Sequence, residues 1–325
     1  MRGALALLGL MLAPVVPALA LAGCWRSTPA FEVAITNWPA YEYLYLAEQR
    51  QLGHRHGLAL KVRQFGSLQD QRLAYVRGDV DLLATSLPET IATCQDAPAR
   101  CPVLVLVLDE SRGGDMVLGA PGLRSMADLA GRSVGVEATV LAQVLLLRGL
   151  EPHGLGLDDL RLVPGDPSDL VEGLRDGRLE AIVTYVPYAT PLLVEGRYPR
   201  LFGSERLPGE VVDVLAVDPV VLRRHPERVR ALVATWWEAR RWAREHPGRA
   251  VALMAGREGL SAAAFKASEA GLVYPGPADQ GRLLAPRGPV AASLNQMARL
   301  MLRAGRITPT APLPRLSTEA LEGDG

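Results

Sequence analysis

Along residues 31–217, short apolar runs alternate with longer stretches whose apolar positions recur every three or four residues. That alternation predicts strands and helices in turn, the grammar of an α/β fold. Strands are expected at 31–36, 58–65, 80–85, 101–108, 116–119, 133–137, 160–163, 181–184 and 211–217. Residues 58–65 show the period of two most plainly, with Leu60 and Val62 set between polar neighbours. Helices are expected at 40–51, where Gly53 ends the run, and at 68–77, 125–129, 139–150 and 167–176. From residue 219 onward the pattern turns helical, at 226–245, 249–255, 262–270 and 289–304. The Pro- and Gly-bearing stretch 308–325 is expected to be irregular.

One nine-residue pattern occurs twice, 99 positions apart, as RGDVDLLAT (77–85) and DGRLEAIVT (176–184). Each reads as a helix end, a glycine, a branched apolar residue, an acid and a buried strand closing on threonine. Glycine just past a helix end is a C-cap that turns the chain. Any αβ unit shares some of this grammar, but in its context the echo predicts two similar α/β lobes. Ligands of open α/β sheets bind beyond the carboxyl ends of the strands, which would set Thr85 and Thr184 on opposite walls of one cleft.

Composition bounds the function. Lys and Arg total 35, as do Asp and Glu, so the formal net charge is zero. That balance argues against nucleic acid as a partner and against an acidic solvating tail. With 49% hydrophobic and 22% charged residues the chain is globular, and 325 residues suggest about two domains. Met1-Arg2 precedes an apolar stretch to Ala20, interrupted by Pro14 and Pro17 and ending in Leu21-Ala22-Gly23-Cys24. This reads as a secretory signal rather than a membrane span. Its last four residues resemble a bacterial lipobox, which makes residues 1–23 the discarded signal, Cys24 the acylated first residue and 24–30 a tether. Two further cysteines, Cys94 and Cys101, suggest a disulfide in an exported chain, worth about 2–3 kcal/mol on the chain-entropy model. A metal site is the sharper alternative, but no histidine lies near them; two free thiols is the duller one.

No catalytic motif stands out. His54, His56, His153, His225 and His246 fall in no metal-binding spacing, and no nucleophile elbow, phosphate loop or dinucleotide fingerprint is present. What does recur is polar and aromatic residues where strands end. The first strand closes on Asn37, Trp38 and Tyr41, a recognition face unless Trp38 is core packing. Thr85 and Ser86 close the third, free to bind a ligand or to cap the next helix. Asp109, Ser111, Arg112, Gly113, Gly114 and Asp115 follow a strong strand, and the paired glycines suit a crossing between lobes. Glu137 and Thr139 precede a helix, which they could cap. Tyr185 and Tyr188 follow another strand, and Asp213 marks a return crossing.

Taken in order, NWPAYEYLYLA (37–47), GDVDLLAT (78–85), VLDESRGGD (107–115), LAGRSVGVE (129–137), GRLEAIVTYVP (177–187) and VVDVL (211–215) resemble the nitrate/sulfonate/taurine and thiamine-pyrimidine-type substrate-binding proteins of ABC importers. The resemblance spans residues 31–300. It implies a type II, two-lobed periplasmic-binding-protein fold, with residues 31–112 and 214–307 in one lobe, 113–213 in the other and the ligand cleft between them. It implies no catalysis, no cofactor and no metal. It implies a permease and an ATPase as partners; with the N-terminal signal and lipobox, the expectation is an exported, lipid-anchored monomer. It places pocket residues at Trp38, Thr85, Ser86, Ser111, Glu137, Thr139, Tyr185 and Asp213. Tyr43 and Arg112 depart from the family's pattern, and Arg112 leaves the ligand's charge open: it could reach an anion in the cleft or point to solvent. The acids Asp109, Asp115, Glu137 and Asp213, if they face the cleft, favour a cationic or amine-bearing ligand, because buried carboxylates need partners; a sulfonate- or pyrimidine-type compound is the alternative. Two other classes stand beside this one. One is an enzyme on the same fold, similar to the pyrimidine synthases, although Lys61 and Lys266 sit at no strand end. The other is a ligand-sensing ectodomain.

Overall fold

The computed structural model describes residues 30–321. The expected signal, Cys24 and most of the tether therefore lie outside the described residues. The chain begins β1 (Phe31–Ile35), α1 (Glu42–Gln49), β2 (Leu60–Gln64), α2 (Leu68–Arg77), β3 (Leu82–Ser86), α3 (Leu87–Asp96), β4 (Val103–Ser111). It continues β5 (Asp115–Gly119), β6 (Ser133–Val136), α4 (Val140–Leu150), β7 (Arg161–Pro164), α5 (Pro167–Arg175), β8 (Ala181–Tyr185), α6 (Thr190–Glu195), β9 (Arg200–Gly203). It returns through β10 (Val212–Val217) to α7 (Pro219–Arg224), α8 (Pro226–Glu245), α9 (Pro247–Arg257), α10 (Ala262–Glu269), β11 (Leu272–Val273), α11 (Pro277–Leu283), α12 (Pro289–Arg303) and β12 (Arg315–Leu316).

The strands form two sheets, ordered β11-β4-β10-β3-β1-β2, with β12 also on β4, and β7-β6-β8-β5-β9. In the first, β2, β1 and β3 run parallel and β10 is antiparallel to both β3 and β4. The second repeats the scheme: β7, β6 and β8 run parallel, and β5 is antiparallel to β8. The repeated nine-residue pattern is therefore a structural equivalence. Its two copies end in β3 and β8, each flanked by a parallel neighbour and by the strand that arrives from the other lobe. Gly78 and Gly177 end the preceding helices with φ of 86° and 71°, a left-handed turn that glycine adopts without steric cost.

The chain crosses between lobes twice, at residues 112–114 and at 204–211. β10 is already paired with β3 and β4 from Val212 on, so the return crossing falls slightly before the 213/214 boundary read from the sequence. The stretch expected to be irregular after residue 307 contributes β12, because Arg315 and Leu316 pair in parallel with Val103 and Leu104 at an otherwise open edge. Helix α3 is the helix that Thr85 and Ser86 were expected to cap, although no span was assigned to it. Leu87 through Cys94 are all buried, the polar Glu89, Thr90 and Thr93 among them. Its end is tied to the start of β4 by a Cys94–Cys101 disulfide, Cα–Cα 4.2 Å. No helix among the described residues is long and apolar enough to cross a membrane.

Candidate functional site

The strand ends and crossings converge on two adjoining chambers between the lobes. The first is lined by Thr36, Asn37, Trp38, Tyr41, Leu68 and Asp213 from one lobe and Asp115, Leu141 and Tyr185 from the other. The second is lined by Leu68, Asp115, Glu137, Thr139, Leu141, Ala142, Leu145, Val183, Thr184 and Tyr185. Leu68, Asp115, Leu141 and Tyr185 belong to both. A wider depression, formed by α8, the turn at His56–Leu58 and Ala320–Leu321, lies away from both crossings and gathers no such set of strand-end residues.

Local structure places each liner. Trp38 follows β1 and enters α1 through a tight turn, its indole nitrogen donating to Asp109 Oδ1 and Oδ2 at 3.2 and 3.3 Å. Its ring centroid lies 6.1 Å from that of Tyr185, which packs edge-on against Tyr188 at 5.3 Å. The crossing is pinned by Ser204, whose hydroxyl meets Ser111 Oγ at 2.8 Å and accepts from the Gly113 amide at 2.7 Å. Ser111 Oγ in turn accepts from the Asp115 amide at 3.2 Å. A Cβ on Gly114 would stand 2.7 Å from the Trp38 ring, so only glycine lets the crossing pass this close to the indole. Thr139 caps α4 by accepting from the Ala142 amide while also lining the second chamber.

Electrostatically the site is one-sided. Burial pushes the Asp115 carboxyl up to about 6, against the pull of the Ser111 hydrogen bond and of Arg200. Burial, reinforced by the charge of Glu89, pushes Glu137 up to about 8, although the Tyr185 hydroxyl bonds it. Asp213 is raised well above its ordinary value by burial and by the facing Asp109 and Asp115, and burial raises Asp109 as well. Neither chamber is lined by Lys or Arg. Arg112 turns to the surface and pairs with Glu110 at 2.9 Å, so it does not reach the cleft. Four buried oxygens of the region find no hydrogen-bond partner: Asp115 Oδ2, Glu137 Oε1, Thr184 Oγ1 and Ser86 Oγ.

Of the residues expected from sequence, Asn37, Trp38, Tyr41, Asp115, Glu137, Thr139, Tyr185 and Asp213 line the chambers. Asp109, Ser111 and Tyr188 stand one layer behind, bonded to or packed on the liners. Thr85 and Ser86 line neither chamber. Ser86 sits opposite Asp213 in the sheet, and strand alternation sends Thr85 to the other face. Of the two threonines expected to face each other, only Thr184 is a liner.

Three further contacts join the lobes. Asn37 donates to Tyr188 Oη at 3.0 Å, and the hydroxyls of Thr190 and Ser268 lie 3.2 Å apart. Most buried is Glu89, which accepts at Oε1 from the Val140 amide at 2.6 Å and the Leu141 amide at 3.4 Å. The carboxylate of one lobe thus caps the N-terminus of α4 in the other, while Arg72 Nε pairs with its second oxygen at 3.1 Å. Sequence reasoning did not single out Glu89, Ser204, Thr36, Leu68 or Leu141. Of these, Thr36, beside Asn37 at a strand end, carried a local signal.

With this geometry in view, residues 27–255 match the NMT1-like family. The chain belongs to that family. A provisionally named binding protein of Brucella abortus is 24% identical over 215 residues, 65% of this chain and 65% of that protein. The chain thus spans about 65% of the length of the curated relatives it matches first. Among solved structures, the periplasmic aliphatic sulphonate binding protein of Escherichia coli superposes with a TM-score of 0.71 at 21% identity, covering 88% of this chain and 95% of that one. The family member therefore has the two-lobed periplasmic-binding-protein fold. A 2′-hydroxybiphenyl-2-sulfinate desulfinase of Rhodococcus erythropolis is also similar, 25% identical over 55% of this chain and 63% of its own.

Proposed function

We propose that this NMT1-like chain is an extracytoplasmic solute-binding lipoprotein, anchored through Cys24, that captures a cationic or amine-bearing small molecule and delivers it to an ABC importer's permease. The carrying observation is the cleft itself: Asp115 and Glu137 line it and each keeps one buried oxygen without a partner, Asp213 stands in its wall, and no basic side chain lines it. A nitrate or sulfonate would meet those acids with no counter-charge, whereas a cation supplies what they lack. Trp38, Tyr41 and Tyr185 add aromatic faces that attract cations. Capture works by closure: a ligand touching both lobes stabilises the closed form, in which Asn37–Tyr188 and Glu89–α4 also form.

The relatives support the importer role through fold and name. The desulfinase keeps an enzyme reading in view, but the two cysteines among the described residues are bonded to each other at the start of β4. They offer the cleft no thiolate. A thermal-shift screen of mature protein against primary amines, aminopyrimidines, methanesulfonate and nitrate tests the ligand class, because a ligand that binds only the folded state raises its melting temperature. Amine-type compounds are expected to raise it; a rise with methanesulfonate or nitrate alone would overturn the cationic reading. Labelling with a palmitate analogue, lost in Cys24→Ser, tests the anchor.

A further inference from the structure

We propose that the ligand carries two nitrogen-centred hydrogen-bond donors, one seated at Asp115 between the aromatic walls and the other at Glu137 in the adjoining chamber. The two carboxylates are thus separate specificity determinants of one ligand. This rests on the cationic reading above and goes beyond it.

The argument starts from what each carboxylate lacks. Asp115 is 4% exposed and Glu137 6%, and each keeps one oxygen without any partner. They stand at the ends of different strands: Asp115 opens β5, and Glu137 follows β6. Their surroundings differ as well. Asp115 lies in the wall of the chamber that holds Trp38, Tyr41 and Tyr185. Glu137 lies with Thr139 and Thr184 in the other, covered by Ala142, Leu145 and Val183. Asp115 borders both chambers, its amide held by Ser111 Oγ, whereas Glu137 lines only the second. The shared walls Leu68, Leu141 and Tyr185 make the chambers neighbours, within reach of one molecule whose carbon skeleton lies on those walls.

A ligand with one donor group would leave more of the unpartnered acceptors Asp115 Oδ2, Glu137 Oε1 and Thr184 Oγ1 unsatisfied than a ligand with two. A buried polar group left unpaired is the strongest discriminator a pocket has. Thr184 Oγ1, also buried and unpartnered, offers the second donor another acceptor beside Glu137.

Matched pairs of amines test this by titration calorimetry on the mature protein: butylamine against putrescine, and benzylamine against para-xylylenediamine. In at least one pair the diamine is expected to bind about tenfold or more tighter than the monoamine. Asp115→Asn and Glu137→Gln should each remove most of that advantage while sparing the monoamine better than the diamine. Circular dichroism confirms that both variants fold, and the wild-type comparison stands without them. Equal affinities within both pairs, or no binding of any of the four, overturn the two-donor proposal. Binding of methanesulfonate or nitrate by a protein that ignores all amines overturns the cationic reading as well, so the two failures are distinguishable.

Discussion

The indole nitrogen of Trp38 lies 3.2 and 3.3 Å from the two carboxylate oxygens of Asp109 and donates to both. Trp38 follows β1, and Asp109 sits in β4 just before the first crossing, so the bond joins a cleft wall to the hinge. Both residues are buried, and burial already raises the Asp109 carboxyl. Trp38→Phe keeps an aromatic face for the ligand but removes the donor. The protein should lose about 1–3 kcal/mol, the cost of leaving a buried acceptor unpaired. Urea denaturation of the ligand-free protein measures this. Unchanged stability with weakened ligand binding would mean that Trp38 acts through stacking alone.

Glu89 should govern closure rather than recognition. It touches no chamber, yet it joins Arg72 on its own lobe to the Val140 and Leu141 amides on the other. Glu89→Gln keeps the shape and removes the charge that complements the α4 N-terminus. Such charge–dipole contacts reach about 2 kcal/mol when partly buried, so ligand affinity should fall about three- to tenfold. The ligand-free form should also populate a more open shape. Calorimetry measures the first effect and small-angle scattering the second. A variant that stays as closed as wild type with unchanged affinity removes Glu89 from the mechanism.

How much of this was legible in the sequence follows from range. Strands β1 to β8 lie close to their expected positions because each carries its own period or apolar run, and the echo ending at Thr85 and Thr184 anticipated the second sheet. The span of α3 was not assigned, although Pro88 at its start and Glu89 in its first turn are helix-start signals. Trp38, Asp115, Glu137 and Tyr185, named from their places at strand ends, line the chambers, but their partners could not be read locally. Thr85 lines neither chamber, because alternation along β3 turns it away from the face that Ser86 shares with Asp213. Ser204 was invisible: its hydroxyl matters only because Ser111, 93 residues earlier, comes within 2.8 Å. Arg112, left open between cleft and solvent, is resolved by Glu110 two residues before it.

The disulfide should be structural and remote from binding. Cys94 and Cys101 enclose a short loop joining α3 to β4, on the framework that carries Glu89 and Asp109. Closing so short a loop restricts the unfolded chain by about 2–3 kcal/mol on the entropy model. The Cys94→Ala, Cys101→Ala double variant should therefore lose about that much stability in a denaturant titration. It should keep its ligand affinity within about twofold wherever it is fully folded, since neither cysteine lines a chamber. A large affinity loss at unchanged stability would show that the loop positions the cleft.

Stability should fall as pH rises. Asp115, held up to about 6, and Glu137, held up to about 8, bind protons more tightly in the folded chain than in the unfolded one, where carboxyls titrate near 4. Below about pH 4 both states are protonated and the groups cost nothing. Between there and about pH 8 the unfolded chain gives up its protons first, so each unit of pH favours unfolding. The groups facing Glu137 reinforce this: Glu89 stands nearby with Asp166 and Asp70, and only the Tyr185 hydroxyl opposes them. Ligand-free protein should thus melt higher at pH 5.5 than at pH 8, and Glu137→Gln should flatten the profile. A bound cation should reverse the trend, because it favours the ionised carboxylate and expels the proton. Calorimetry in buffers of different ionisation enthalpy should then record proton release near neutral pH that Glu137→Gln reduces. Proton uptake on binding, or a release that the variant leaves untouched, would exclude Glu137 as a cation's partner.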